Sequence, residues 1–287
     1  MKYEILKTNR NPTKYEIKPL YGLDPEESKA MAKRVRWELF NAEYYTYLFK
    51  TKDIDMVQKF LPPPLKIATT MPLLNICVQQ LNINDGKGND GLNMGYYENI
   101  IGAFADFNGT IGFYPIAIFI ESDIGAMAGR EMIGTSKKVG QFECKNDGDK
   151  FSWKTIRRGI TLVEAEGEIL HKEIDSTMIT QVLEKPTYHL HQIMGPLLGY
   201  DGPYYAYKPR LMKLWAKINK THSFRSMDNV KLGFHESPFD PICLLKPSEI
   251  IGAFYLKADT SISIDLEFTE LDEEKMIPFL FAKYDPF

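Results

Sequence analysis

The stretch Tyr97-Glu98-Asn99-Ile100-Ile101-Gly102-Ala103-Phe104-Ala105-Asp106-Phe107-Asn108-Gly109-Thr110-Ile111-Gly112-Phe113-Tyr114-Pro115-Ile116-Ala117-Ile118-Phe119-Ile120 is two apolar runs joined by Asn-Gly. Asn-Gly is the strongest short-range hairpin signal, because both residues tolerate the positive φ that a type I′ turn demands. The runs therefore predict paired strands over Tyr97 to Phe107 and Thr110 to Ile120. Both are too hydrophobic for a sheet with one wet face, so the hairpin is expected near the centre of the fold.

Downstream, Asp123 is expected to cap a short helix, Ile124 to Met132, whose small residues Gly125, Ala126, Ala128 and Gly129 permit close packing. That helix leads into Lys137-Lys138, the only adjacent lysine pair in the chain. Two neighbouring ammonium groups repel, and if they are also desolvated one of them sheds its proton easily. Further on, Gln141 to Lys145 and Phe151 to Arg158 read as a hairpin around Asp147-Gly148, and Thr161 to Leu170 as another strand. Pro186 to Arg210 is punctuated by prolines and glycines and reads as irregular. It carries His189 and His191, which could share one strand face as metal ligands, but no third ligand stands at a compelling spacing. Met212 to Ile218, Asn229 to Phe234 and Ile250 to Phe268 are strand-like, and Glu270 to Lys275 is a candidate last helix or interface arm.

Upstream, Asp24-Pro25 with Glu27 is a helix-start signature, and the helix should run to about Trp37 with Met31, Val35 and Leu39 on one stripe. An aromatic strand, Tyr44 to Phe49, and a short helix, Ile54 to Leu61, follow. Pro62-Pro63-Pro64 stops that helix, since proline lacks the donor and clashes with the preceding turn. Lys66 to Ile83 reads as strand. Asp85 to Gly91 is a loop lacking both the P-loop ending and the GxGxxG pattern. The domain reading is an N-terminal helical extension over 1–39 and a β domain over 40–287.

Composition narrows the function classes. Hydrophobic residues at 44% and charged residues at 25% of 287 are ordinary globular values. A net charge of −3 supplies no electrostatic footprint for a phosphate backbone, so no nucleic-acid partner is expected. Cys77, Cys144 and Cys243 stand far apart, as reduced thiols do, and no apolar run is long enough to span a bilayer. No membrane association is expected, and the default compartment is the cytoplasm. The 16 Tyr and 17 Phe suit a β core. Tyr96, Tyr97 and Tyr255 are candidate pocket hydroxyls.

The order of elements resembles the acetoacetate decarboxylase family over roughly residues 40 to 268. The resemblance rests on Phe60-Leu61-Pro62-Pro63-Pro64-Leu65, on Tyr97-Glu98 opening a strand, and on Gly129-Arg130-Glu131 followed at the family's interval by Lys137-Lys138. Tyr200-Asp201-Gly202 and the C-terminal strands continue it. It implies a mainly β (α+β) fold, an antiparallel distorted barrel or cone with a few peripheral helices and the active lysine pointing into an enclosed cavity. It also implies Lys137 as the Schiff-base lysine, Lys138 as the neighbour that helps keep it unprotonated, and Glu98 as the active-site glutamate. Acetoacetate decarboxylase is itself the standing example of a lysine nucleophile activated in this way.

Arg130 and Glu131 match the family's GRE motif and are candidates for the pocket region. Where the decarboxylases carry a pocket arginine and a pocket glutamate, this chain holds Ala42 and Cys77, and Ser136 replaces the proline that usually precedes the lysines. The resemblance implies a cofactor-independent lyase acting on a β-keto or other oxo acid, with decarboxylation through an iminium and an enamine. An aldolase-dehydratase or hydratase using the same lysine is the alternative within enzymes, and a barrel that only binds a small ligand is the alternative outside them. No metal or cofactor is expected. A homo-oligomer is, with the N-terminal extension and Phe279-Leu280-Phe281 as interface pieces.

Overall fold

The computed structural model describes residues 37–79, 82–84, 95–175, 177, 180, 182, 184–195, 204–262 and 267–283. The Asp24 to Arg36 helix, the Asp85 to Gly91 loop and Tyr200-Asp201-Gly202 lie outside the described residues. The first described element is strand β1 (Trp37–Lys50), which pairs from Trp37 onward with a C-terminal strand. Trp37 to Leu39 therefore belong to the sheet, and the expected helical stripe does not extend to Leu39. Three residues that the sequence reading gave to the extension are claimed by long-range pairing, which overrides local helical periodicity.

The central hairpin is present as read. Strands β5 (Glu98–Phe107) and β6 (Thr110–Ile120) pair antiparallel, with Phe107 opposite Thr110. Asn108 and Gly109 both have positive φ, 53° and 83°, as a type I′ turn requires. Between β1 and β5 lie helix α1 (Ile54–Phe60), β2 (Lys66–Ile67), β3 (Leu73–Gln79) and β4 (Asn82–Asn84). After the hairpin come helix α2 (Asp123–Ile133), β7 (Lys137–Val139), β8 (Gln141–Asp147), β9 (Lys150–Arg157), β10 (Ile160–Glu173) and β11 (Pro186–His191). The C-terminal third holds β12 (Arg210–Phe234), β13 (Glu249–Ile262), β14 (Glu267–Glu270) and helix α3 (Glu273–Met276).

Two sequence expectations need correction. Pro186–His191 is a strand rather than irregular chain, with its proline at the first residue, where a missing donor is tolerated. Met212 to Ile218 and Asn229 to Phe234 are two ends of one 25-residue strand, β12. Register shifts at Ile218/Lys220 and Thr221/Ser223 break its alternation and hide its continuity in the sequence.

Strand β12 closes the fold. It pairs with β11 through Arg210 to Trp215, with β13 through Ala216 to Ser226 and with β10 through Arg225 to Phe234. Because β11 also meets β6, the strands β11-β6-β5-β3-β1-β13-β12 form a closed ring, and β10-β9-β8 continue outward as a second layer. The result is a mainly β, distorted barrel with few helices. The ring has two buried faces: Tyr45, Tyr47 and Cys77 pack outward against Phe151 and Trp153 of the second layer, while Leu74, Ile76, Val78 and Phe104 face inward. That double burial is why β5 and β6 carry no polar alternation. Among the described residues, no helix is long and apolar enough to cross a membrane.

Candidate active site

Helix α2 delivers the lysine pair, and its two ends are built for the task. Ser122, rather than Asp123, is the N-cap, its hydroxyl accepting from the Gly125 N–H at 3.0 Å. At the other end Gly134 adopts the left-handed conformation (φ 74°), donating to the Arg130 carbonyl while Thr135 donates to that of Gly129. The bond from the Gly134 N–H to the carbonyl four residues back is the αL type of helix ending, which reverses the chain at once. A Cβ on Gly134 would stand 2.5 Å from the His191 Cα, so glycine lets the turn press against β11.

The turn feeds Lys137 into β7, which runs parallel to β6 with Lys137 beside Ile118. Ser136 anchors the approach, its hydroxyl donating to the Pro115 and Ile116 carbonyls at 3.2 and 3.1 Å. Those carbonyls lie at a β6 bulge, where Gly102 pairs with Pro115 but Ile101 with Ala117.

Successive residues of a strand point to opposite faces, and the lysine pair divides accordingly. Lys137 is buried, and its Nζ lies 3.3 Å from Glu98 Oε1 and 3.5 Å from Oε2. Lys138 faces the other way, where its Nζ meets Asp240 Oδ1 at 2.9 Å while Arg157 Nη1 meets Oδ2 at 2.6 Å. The expected mutual repulsion of two facing ammonium groups is therefore not the arrangement found, since each lysine has its own carboxylate.

Lys137 and Glu98 line a cavity of about 250 Å³ inside the ring. Its wall is largely apolar, with Leu74, Ile76, Val78, Ile100, Phe104, Phe113, Ile118, Leu214 and Leu256. Polar side chains are few: Tyr44, Thr46, Tyr96, Thr135, Thr187 and His189 join the lysine and glutamate, with Lys217, Thr260 and Ser261 also in the lining. Tyr44 is engaged with Thr260 at 2.8 Å.

The other sequence candidates fall elsewhere. Cys77 is fully buried but on the outer face of β3, where the Asn75 and Asn99 amides approach its sulfur. Tyr97 packs on Trp153 with ring centroids 5.6 Å apart, and Tyr255 on Tyr45 at 5.2 Å, both outside the cavity. Ala42 sits opposite Ala258 and packs with the cavity-wall residues without lining the space. Arg130 and Glu131 do not line it either. Their carbonyls accept from Lys283 Nζ at 3.3 Å and pair with His191 Nε2 at 2.9 Å, so they tie α2 to the tail and to β11.

In the GRE motif the glycine is what touches the lysine. A Cβ at Gly129 would lie 2.6 Å from Thr135 Oγ1 and 2.7 Å from Lys137 Cδ. The two histidines also part ways. His189 enters the cavity wall, while His191 has both ring nitrogens engaged, with the Glu131 carbonyl and with the Tyr207 hydroxyl at 2.7 Å. No group of three metal-ligating side chains occurs among the described residues. Asp240, Arg157, Thr46, Thr135 and Thr187 were not marked by the sequence, and no local motif announces them.

Fold and site together define a closed, mainly antiparallel β-barrel protein whose internal cavity carries a buried lysine–glutamate pair. The chain belongs to the acetoacetate decarboxylase family, whose profile matches residues 22–274. The match reaches back beyond residue 40, into the segment that the sequence reading set apart as an extension. The acetoacetate decarboxylase of Clostridium acetobutylicum is 24% identical over 225 residues, 78% of this chain and 85% of that protein. Among solved structures, the acetoacetate decarboxylase of Legionella pneumophila superposes with a TM-score of 0.69 at 17% identity, covering 79% of this chain and 85% of the other. MppR, an enduracididine biosynthesis enzyme solved with the condensation product of pyruvate and imidazole 4-carboxaldehyde, gives 0.68 at 16% identity, covering 86% and 94%. At these identities the structural likenesses establish the fold.

Proposed function

We propose that this protein is a carbon–carbon lyase that forms a Schiff base between Lys137 and a β-keto or other oxo acid and decarboxylates it. The observation that carries the reading is the Lys137–Glu98 pair, 3.3 Å apart in the wall of an apolar cavity. Glu98 stands where it can take the ammonium proton and free the amine to attack the ketone carbon. Loss of water from the adduct gives an iminium. The carbon–carbon bond to the carboxylate then breaks, its electron pair neutralising the iminium to an enamine as carbon dioxide departs. Protonation at carbon and addition of water return the ketone and the amine. The apolar wall keeps bulk water from these charges, which strengthens the interaction between Glu98 and the iminium.

Borohydride reduction in the presence of candidate oxo acids tests the reading. With acetoacetate, mass spectrometry should find a reduced adduct on Lys137, and carbon dioxide should be released without borohydride. Absence of an adduct across a panel of oxo acids would leave a barrel that only binds ligands. Pyruvate with an aldehyde belongs in that panel, because an enamine at the same lysine also supports the condensation whose product was found on MppR.

Gly129→Ala probes how closely the lysine is placed. The added methyl would meet Lys137 Cδ at 2.7 Å and Cε at 2.9 Å, and the flexible side chain must move to accommodate it. A displacement of about 1 Å can cost about 10²-fold in rate, and adduct formation is expected to slow by that order. Alanine also favours the helix by about 1 kcal/mol, so the unfolding midpoint should stay within about 4 °C of the parent. An unchanged adduct rate would show that Lys137 tolerates the shift.

A further inference from the structure

The groups around Lys137 are laid out in a fixed order along β6. Glu98 stands opposite Ile120, Lys137 beside Ile118, and Ser136 bonds the carbonyls of Ile116 and Pro115. Strand β11 runs parallel to β6 with Thr187 at Phe113, which brings His189, two residues on, to the level of Pro115. Thr135 precedes Lys137 by two residues and also lines the cavity. Along the strand, then, Glu98 lies to one side of Lys137 and Thr135 and His189 to the other.

These two side chains share a condition with Thr46, another residue of the cavity lining. Thr135 is 3% exposed and His189 7%, yet Thr135 Oγ1 and His189 Nδ1 have no hydrogen-bond partner among the described residues. A buried polar atom left unpaired costs about 1–3 kcal/mol, so two of them in the wall beside a nucleophile point to oxygen atoms of a ligand. Nε2 of His189 lies 3.3 Å from Thr187 Oγ1. With that hydroxyl donating to Nε2, Nδ1 carries the proton and is the donor left for a ligand. Burial and then the charge of Lys137 hold the imidazole down to about 3, so the ring meets a ligand uncharged.

We infer that His189 and Thr135 form the subsite for the substrate carboxylate, holding its oxygens through Nδ1–H and Oγ1–H without a full positive charge. The inference rests on the Schiff-base reading of Lys137. A carboxylate entering the cavity is repelled by Glu98 and comes to lie on the opposite side of Lys137, where the neutral donors are. Among the described residues the lining holds no arginine, and its cation besides Lys137 is Lys217. A carboxylate held by neutral donors in an apolar cavity keeps its charge at a cost, and departure as uncharged carbon dioxide relieves that cost. The arrangement orients the leaving group and favours its loss.

The test combines a binding measurement with a comparison of two reactions. In protein labelled with ¹⁵N-histidine, butanoate should shift the His189 Nδ1 resonance, identified as the one missing from His189→Asn. His189→Leu should lower kcat/KM for carbon dioxide release from acetoacetate about 10–100-fold, the range expected for losing a buried hydrogen bond. Exchange of acetone methyl protons in D₂O needs the same imine but presents no carboxylate, and should change less than about twofold by the same reasoning. His189→Asn, which keeps a polar group near Nδ1, should recover part of the loss. Equal loss in both reactions, loss in neither, or a His189 resonance unmoved by butanoate overturns the subsite. If no oxo acid gives an adduct on Lys137, the Schiff-base reading falls instead, and the butanoate titration alone decides the subsite.

Discussion

Lys137→Met is expected to lower carbon dioxide release from acetoacetate by on the order of 10⁴-fold or more, as removal of a nucleophile acting in a concerted unit does. Lys138→Met should leave the reduced adduct on Lys137 and cost less than about tenfold, because a residue that acts only through position gives up part of the effect. The contrast follows from strand geometry. Lys137 meets Glu98 in the cavity, and Lys138 meets Asp240 on the opposite face. Methionine keeps the length of the lysine stem, so packing is largely retained. It also leaves Glu98 buried without its cation, and loss of one partner from a buried pair costs about 3–5 kcal/mol when the other stays charged. Lys137→Met combined with Glu98→Gln should recover stability without recovering activity, which separates the chemical loss from the folding loss. An adduct that survives Lys137→Met and vanishes with Lys138→Met would reassign the nucleophile.

How far such residues can be read from sequence depends on whether the information is local. The hairpin was legible because Asn108-Gly109 specifies its turn and two unbroken apolar runs specify its burial. Lys137 and Glu98 were legible through the family motif, and the structure brings them together. Facing was harder, because a shift of one residue exchanges the two faces of a strand. Tyr96 lines the cavity while Tyr97 packs on Trp153, and Ile76 and Val78 line it while Cys77 turns outward. All of these are apolar or aromatic in the sequence, and since both faces of the ring are buried, hydrophobicity could not say which way each points. His189 was noticed, but as half of a ligand pair. Its place in the cavity wall depends on β11 pairing with β12 and touching β6, contacts that no local pattern encodes.

Asp240 is the clearest case of a residue that only the fold reveals, and it carries a large expected effect on stability. It lies 102 positions from Lys138, in the chain leading into the short helical turn at Ile242–Leu245. Only 3% of its surface is exposed, and its two oxygens hold the ammonium of Lys138 and the guanidinium of Arg157 at 2.9 and 2.6 Å. Arg157 also donates from Nε to the Val139 carbonyl at 3.2 Å, so the cluster fastens the far end of β7 to β9. Asp240→Ala removes the carboxylate that both cations share and leaves them facing each other in a desolvated setting. The expected cost is about 3–5 kcal/mol, or a fall in Tm of roughly 6–20 °C for a domain of this size. Asp240→Asn keeps the hydrogen-bonding oxygen but not the charge and should fall between the two. Because β7 carries Lys137 on its other face, loosening this end should also slow adduct formation at temperatures where the variant is still folded. Thermal unfolding and borohydride trapping on the same samples check both halves. A Tm shift below about 2 °C would show that solvent, rather than Asp240, balances the two cations.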